Sequence, residues 1–405
     1  MSSQAITFPN AAGEQLHARL ELPVNRHPLA CAIFAHCFTC SSSLTAVRSI
    51  SRALNLEGYA VLRFDFTGLG KSEGDFSDSN FSSNIADLVA AADYLTENFE
   101  APTLLIGHSL GGAAVLCATH QIPSIKAVAT IGAPFEPVHV TNLLQGGLEE
   151  IEKQGYANID IGGRTFRIKR QFIDDLGNYK IKESIHELGA ALLILHSPQD
   201  TTVSIDEAAN IYQAARHPKS FVSLDGADHL LSDKADSHYA GRVIAGWSSR
   251  YLTESDEQKE ELKASRNVAV RLGAEGYTTE IMVRKHSLTA DEPESVGGND
   301  FGPGPYELVS AGLGACTAMT IQMYARRKKW VVREVLVHID HRKDYAEDMA
   351  HAGEKSAKID HFDRTISLEG DLTPEQRERL LEIADRCPVH RTLHEEVVVS
   401  TTSAE

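Results

Sequence analysis

The stretch "LLIGHSLGG", Leu104–Gly112, decides the fold. It holds a G-x-S-x-G pattern, Gly107 to Gly111, between a short apolar run and a helical pattern. In that context the serine sits on a sharp strand-to-helix turn that lifts its hydroxyl to the carboxyl edge of a sheet. The flanking glycines let strand and helix approach without a Cβ clash. A serine hydroxyl is a weak nucleophile at neutral pH, so it needs a base, and the base needs an orienting acid. The chain order for this architecture is Ser, then acid, then His. "LILHSPQDTTV" sets Asp200 just beyond an apolar run, and "SFVSLDGADHLL" sets His229 just beyond the next. Ser109, Asp200 and His229 are therefore the expected catalytic residues. Asp206 falls inside the following helix, and Asp225 and Asp228 suit the turn that carries His229. Among the other histidines, His196 reads as a buried strand end and His217, before Pro218, as a surface turn; His238 is a further competitor.

Around this centre, residues 1–252 alternate between strand and helix patterns. Short runs rich in Val, Ile, Leu and Phe recur at 31–36, 61–66, 103–108, 127–133, 191–196 and 219–224, as strands buried on both faces require. Helical periodicity fills most gaps, which predicts a mostly parallel sheet with helices on both faces. "AITFPN" and "HARLELP" read as an antiparallel hairpin before it. The gap at about 135–190 is too long for a simple crossover. It holds a helical stretch and then "YANIDIGGRTFRIKRQF", which alternates around Gly162-Gly163 and predicts a hairpin, so the insertion reads as a lid. Composition shifts at 253–266, a charged run expected to be a linker. From 267 to 405 strands and helices segregate, giving an α+β second domain. Its features are a Gly/Pro-rich loop (291–305), a long apolar helix, a helix opened by Thr373 and Pro374, and a closing strand "HEEVVVSTT".

Composition narrows the function classes. The 405 residues suit two domains, and the net charge of −17 repels phosphate backbones and anionic lipid, so neither nucleic acid nor a membrane surface is expected as a partner. The N-terminus lacks a basic start followed by an apolar run, and no window approaches the uninterrupted apolar length of a membrane span. Six cysteines in so long a chain do not make a disulfide framework, and a reducing cytoplasm is expected. No cofactor or metal is called for. Cys37 and Cys40 form a C-x-x-C, but it is the only one, so a four-cysteine zinc site lacks its second half.

Residues ~15–252 resemble the α/β-hydrolase family. "IFAHCFTC" is similar to its His-Gly-aromatic loop, "RFDFTGLGKSEG" to its D-x-x-G-x-G-x-S loop, and "IGHSLGG" to its nucleophile turn. The resemblance implies a small-molecule acyl ester or thioester substrate. It also implies an oxyanion hole made by the backbone N–H groups of Phe38 and Leu110. Cys37 stands where the family has Gly. Asp65 is expected to brace loops, and His36 and His108 to pack at strand ends. The backbone of the Cys37–Cys40 loop is expected to matter more than its sulfurs.

Residues 267–402 resemble the OsmC/Ohr family through "GPGPYEL", "GLGACTAMT" and "DRCPVHRTL". This implies an intertwined homodimer and thiol-dependent reduction of organic hydroperoxides, with Cys316 attacking and Cys387 resolving the sulfenic acid. In the peroxide-reducing members a glutamate directly follows the loop proline and pairs with an arginine beside the thiol. Here Tyr306 intervenes, leaving Glu307 as the acid; Arg284 and Arg271 are the candidate arginines. Nine residues of helix rotate by ~900°, half a turn net, so pairing Glu307 with Cys316 requires a break, for which Gly312 and Gly314 are candidates. His390 and His394, with Cys387, give a weaker metal-site pattern. The sum is a bifunctional hydrolase and thiol peroxidase; the alternative is a hydrolase whose second domain only dimerises or binds a ligand.

Overall fold

The computed structural model describes residues 2–23, 28–252, 267–273, 276–345 and 358–403, so the expected linker at 253–266 lies outside the described residues. The chain divides into two compact units, Met1–Ser287 and Leu288–Glu405.

In the first unit, β1 (Ser2–Pro9) and β2 (Gln15–Leu22) form the expected antiparallel hairpin. Then follow β3 (Ala30–Ala35), α1 (Thr45–Leu56), β4 (Tyr59–Phe64), α2 (Phe81–Asn98), β5 (Leu104–His108), α3 (Leu110–Ala118) and β6 (Ala127–Ile131). The insertion carries a 3₁₀ stretch (Pro137–Leu144), α4 (Leu148–Gln154), β7 (Tyr156–Ile161), β8 (Arg164–Lys169), α5 (Arg170–Leu176) and α6 (Ile181–His186). β9 (Ala191–His196), α7 (Ile205–Ala214), β10 (Lys219–Ser223) and α8 (Lys234–Ser248) complete the layers. The eight-stranded sheet runs β1-β2-β4-β3-β5-β6-β9-β10, and every pairing from β4 to β10 is parallel.

Alternation along each strand feeds two cores. Ile33, Leu62, Leu105 and Val128 join Leu88 of α2 and Val115 of α3 on one face. Phe34, Val61, Ile106 and Ala129 join Ile50 of α1 and Ile244 of α8 on the other. Burial on both faces is why these strands read as continuous apolar runs. Each buried Leu or Ile contributes ~1.5–3 kcal/mol. Asn80 caps α2 reciprocally with Ser83, which fixes where that helix starts. In the insertion, β7 and β8 pair antiparallel and turn at Gly162 and Gly163, both at positive φ (60° and 78°), as a two-residue hairpin turn demands.

Beyond α8, β11 (Val268–Leu272) pairs antiparallel with β12 (Thr279–Val283), and β13 (His286–Ala290) follows. The second unit contains α9 (Pro305–Lys328), β14 (Val331–Tyr345), β15 (Lys358–Asp371), α10 (Pro374–Ala384) and α11 (Pro388–His394). Thr373 caps α10, with Pro374 in its first turn. Ile321 and Ala325 of α9 pack with Val332, Leu380 and Ala384 in a small core. α9 is long and apolar enough, by length and composition, to cross a membrane. Its apolar residues are interrupted by Ser310, Thr317, Thr320 and Gln322, so it is not the near-continuous apolar run that the sequence reading sought. Its other face is open, with Met319 and Met323 66% and 71% exposed. The expected closing strand is not formed: α11 runs to His394, and Val397, Val398 and Val399 lie exposed without a described sheet partner. A β-prone segment forms a strand only where an edge accepts its N–H and C=O groups.

Candidate active site

β5 delivers Ser109 to the carboxyl edge of the sheet. The residue has φ 56° and ψ −126°, a strained conformation for a non-glycine, and its N–H is held by the Ile131 carbonyl at 2.9 Å. The turn is possible because its neighbours lack side chains. A Cβ on Gly107 would lie 2.3 Å from the Gly111 carbonyl oxygen, and one on Gly111 would lie 2.5 Å from that of His36.

His229 Nε2 lies 3.0 Å from Ser109 Oγ, and His229 Nδ1 lies 2.7 Å from Asp200 Oδ2. Asp200 also accepts the N–H groups of Thr202 (2.8 Å) and Val203 (2.9 Å). Burial alone would raise its pKa, but the hydrogen bonds from His229, Val203 and Thr202 outweigh burial and hold it below its usual value. The acid is therefore ionised and aimed at His229 Nδ1–H, which leaves Nε2 free to accept the serine proton. Two buried histidines frame the relay. His108 Nε2 donates to the His229 carbonyl at 2.7 Å, and burial above all pushes its pKa down to about 4. His196 Nε2 donates to the Val203 carbonyl at 2.9 Å. The competing acids are engaged elsewhere: Asp228 accepts the Ser232 N–H, Asp225 the Ser223 hydroxyl, and Asp206 lies in the first turn of α7. Asp65 accepts the N–H groups of Ser42 (2.6 Å) and Lys71 (3.0 Å), tying two loops together.

Phe38 and Leu110 line one small cavity with His36, Gly111 and Ala114. Leu110 opens α3, so its N–H has no partner within the helix. One expectation about this loop is corrected: Cys37 and Cys40 are joined in a disulfide, Cα–Cα 5.4 Å. The expectation of a reducing cytoplasm gave no reason to join them, but two cysteines at the ends of one tight turn are already within bonding range. The insertion also reaches the loop. Arg164 of β8 donates to the Thr39 carbonyl, and Phe172 of α5 stacks on Phe38 with centroids 5.2 Å apart.

In the second unit Cys316, half-buried on α9, and Cys387, fully buried at the start of α11, are hydrogen-bond partners of each other. Burial pushes the Cys316 thiol up, and Cys387 as a neighbouring anion pushes it further. Burial also acts on Cys387, but hydrogen bonds from Cys316, the His390 N–H, Thr317 and the Val389 N–H reverse it, so its pKa falls.

Comparison with known proteins matches these two parts separately. The family described as serine aminopeptidase, S33, matches residues 26–154, and the OsmC-like protein family matches residues 297–402. The esterase domain of a Rhodothermus marinus protein is 51% identical; the match covers 62% of this chain and all of that domain, with a TM-score of 0.54. The chain is an α/β hydrolase joined to an OsmC-like domain. The α/β-hydrolase part is similar to esterases and thioesterases. Palmitoyl-protein thioesterase ABHD10, mitochondrial, from Mus musculus, is 28% identical over 45% of this chain. This chain covers 62% of that relative, less than two thirds of its length. Est1E from Butyrivibrio proteoclasticus, solved with ferulic acid, shares the fold at 21% identity, with a TM-score of 0.51 over 61% of this chain and 99% of that one.

Within the OsmC-like domain one supporting residue, Glu307, falls elsewhere than expected. α9 is unbroken from Pro305 to Lys328, and Glu307 caps its start by accepting the Gly304 N–H at 2.8 Å. Gly312 and Gly314 do not break it, and Gly314 instead gives room to Ile339 of β14. Arg284 sits in the β12–β13 turn at φ 55°. Arg364 of β15 instead binds residues that adjoin the two thiols in sequence. It donates to Thr317 Oγ1 (2.8 Å), the Ala384 carbonyl (3.2 Å) and Asp385 (2.7 Å). Sequence reasoning missed it because Arg364 is 48 residues past Cys316 and 23 before Cys387, and only the fold joins them. Among the described residues no group of three or more His, Cys, Asp or Glu is arranged to hold a metal.

Proposed function

We propose that this protein hydrolyses small acyl esters or thioesters at Ser109. The observation that carries the proposal is the unbroken chain of hydrogen bonds from Asp200 through His229 to Ser109, 2.7 and 3.0 Å. His229 Nε2 takes the Ser109 proton as Oγ attacks the carbonyl. The oxyanion is met by the N–H groups of Phe38 and Leu110. The same proton then goes to the leaving alkoxide or thiolate, and water repeats the sequence to free the acid. The aromatic side chains of Phe38 and Phe76 pack against Phe166 and Phe172 of the insertion and favour an apolar or aromatic acyl group. The likeness to ABHD10 supports thioesters alongside oxygen esters. A fluorophosphonate probe should label Ser109 and no other residue, by peptide mass. An unlabelled Ser109 contradicts the proposal.

For the OsmC-like domain we propose reduction of organic hydroperoxides by the Cys316–Cys387 pair. A thiolate attacks the distal peroxide oxygen, an alcohol leaves, and the sulfenic acid condenses with the second thiol to a disulfide and water; an external dithiol restores the pair. The direct interaction of the two thiols supports this reading. Cys316 is the more accessible of the two and meets the peroxide first, and Cys387, buried behind it, resolves the sulfenic acid. Treatment with cumene hydroperoxide should give a Cys316–Cys387 disulfide, seen by peptide mass. If neither that bond nor a sulfenic adduct forms, the domain serves as a dimerisation or ligand-binding module.

A further inference from the structure

We propose that the Cys37–Cys40 disulfide is a positioning group for acyl transfer, and that hydrolase turnover therefore follows the redox state of this pair. The inference rests on the acyl-transfer reading of Ser109. The peptide between Cys37 and Phe38 carries the Phe38 N–H on one edge and the Cys37 carbonyl on the other, so whatever fixes the carbonyl aims the oxyanion donor. Two groups fix it: His36 Nδ1 at 2.9 Å and the Cys40 N–H at 3.2 Å. The second bond closes a four-residue turn from Cys37 to Cys40. Thr39 occupies the third position of that turn at φ 60°, a conformation glycine adopts freely and a β-branched residue resists. A turn with threonine there is strained, and the disulfide across its ends, helped by Arg164 on the Thr39 carbonyl, holds it closed. Cys40 is half-buried and Cys37 buried, so Cys40 is the more accessible end of the pair.

The redox step balances with a dithiol as reductant. One thiolate attacks Cys40 Sγ and the bond to Cys37 Sγ breaks. The second thiol of the reagent closes its own disulfide, and the protein gains two electrons and two protons as two thiols. The turn is then free to relax through Thr39 and swing the Phe38 N–H out of line. Where disulfides occur in reducing compartments they are commonly redox-sensing or catalytic.

The test compares the oxidised full-length protein, the same protein reduced with dithiothreitol, and the Cys40→Ser variant. Each is assayed on a p-nitrophenyl ester, with the state of the pair read by alkylation and peptide mass. Reduction is expected to lower kcat by about tenfold or more with little change in KM, because one oxyanion donor loses its aim. Reoxidation should restore kcat, and Cys40→Ser should match the reduced enzyme and ignore dithiothreitol. A reduced enzyme with unchanged kcat overturns the proposal, as does a Cys40→Ser enzyme with full kcat. Should Cys40→Ser fail to fold, the reduction and reoxidation of the unaltered protein decide alone. End-point labelling of Ser109 by a fluorophosphonate separates the two readings. Labelling with redox-independent kcat overturns the disulfide role only, whereas no labelling in either state overturns the acyl-transfer reading and this proposal with it.

Discussion

His108, next to the nucleophile, shows how much a single buried group can report. It stays neutral while it donates to the His229 carbonyl, and its pKa is about 4 against 6.5 when exposed. Between those values the unfolded chain binds the extra proton, so the stability this group supports is present above pH 6.5 and lost as pH falls toward 4. His108→Gln keeps a donor without the titration. It should be less stable than the parent at pH 7.5, and the gap should narrow by up to ~1.4 kcal/mol per pH unit on acidification, measured by urea unfolding. A gap independent of pH contradicts a neutral buried His108. Cys31 and Cys117, pushed up to about 12 by burial, should resist alkylation in the native protein, whereas Cys316 should react. The residues that meet at the candidate site were legible because each stands at a strand end in an order that one sheet topology explains. The Cys37–Cys40 bond was not, since C-x-x-C spacing alone fits a thiol pair, a metal half-site or a disulfide.

Elements differ in how far sequence pattern constrains them. The parallel strands were readable because they are buried on both faces, and the β7–β8 hairpin because Gly162-Gly163 admits the positive φ values its turn requires. α9 was readable as a helix but not as an unbroken one. A helical glycine costs ~1 kcal/mol against alanine without ending the helix, and Gly314 gives β14 a close approach in return. Glu307 is accordingly a cap, and the contact with the thiol site passes to Arg364, which clamps α9 to the turn after α10. Arg364→Ala should slow Cys316–Cys387 disulfide formation after hydroperoxide by roughly tenfold, because the clamp between Thr317 and the end of α10 is lost; an unchanged rate, read by peptide mass over time, contradicts that role. In the lid, Phe172→Ala removes a buried ring that stacks on Phe38 and should cost ~3 kcal/mol or more of stability. It should also lower kcat/KM more for bulky than for short acyl esters.

The two units bury their apolar surface unequally. The α/β-hydrolase unit encloses two cores, whereas the described part of the OsmC-like unit has a core of five buried residues and leaves Met319, Met323, Val398 and Val399 exposed. Exposed apolar surface of this extent suits the homodimer that the OsmC/Ohr resemblance implies. Light scattering behind size exclusion should give twice the chain mass, and Met319→Glu with Met323→Glu should halve it; a parent protein that runs as a single copy contradicts the homodimer. Ester turnover should survive that pair of substitutions, since the Ser109 relay lies entirely within Met1–Ser287. The account depends most on that relay. Its most direct test is steady-state hydrolysis of a short p-nitrophenyl ester by the parent protein and by Ser109→Ala, each checked for native circular dichroism. The account predicts that the variant falls on the order of 10⁴-fold or more, keeping only the residual acceleration that binding and the oxyanion hole supply. A folded Ser109→Ala enzyme that turns over the ester like the parent would contradict it.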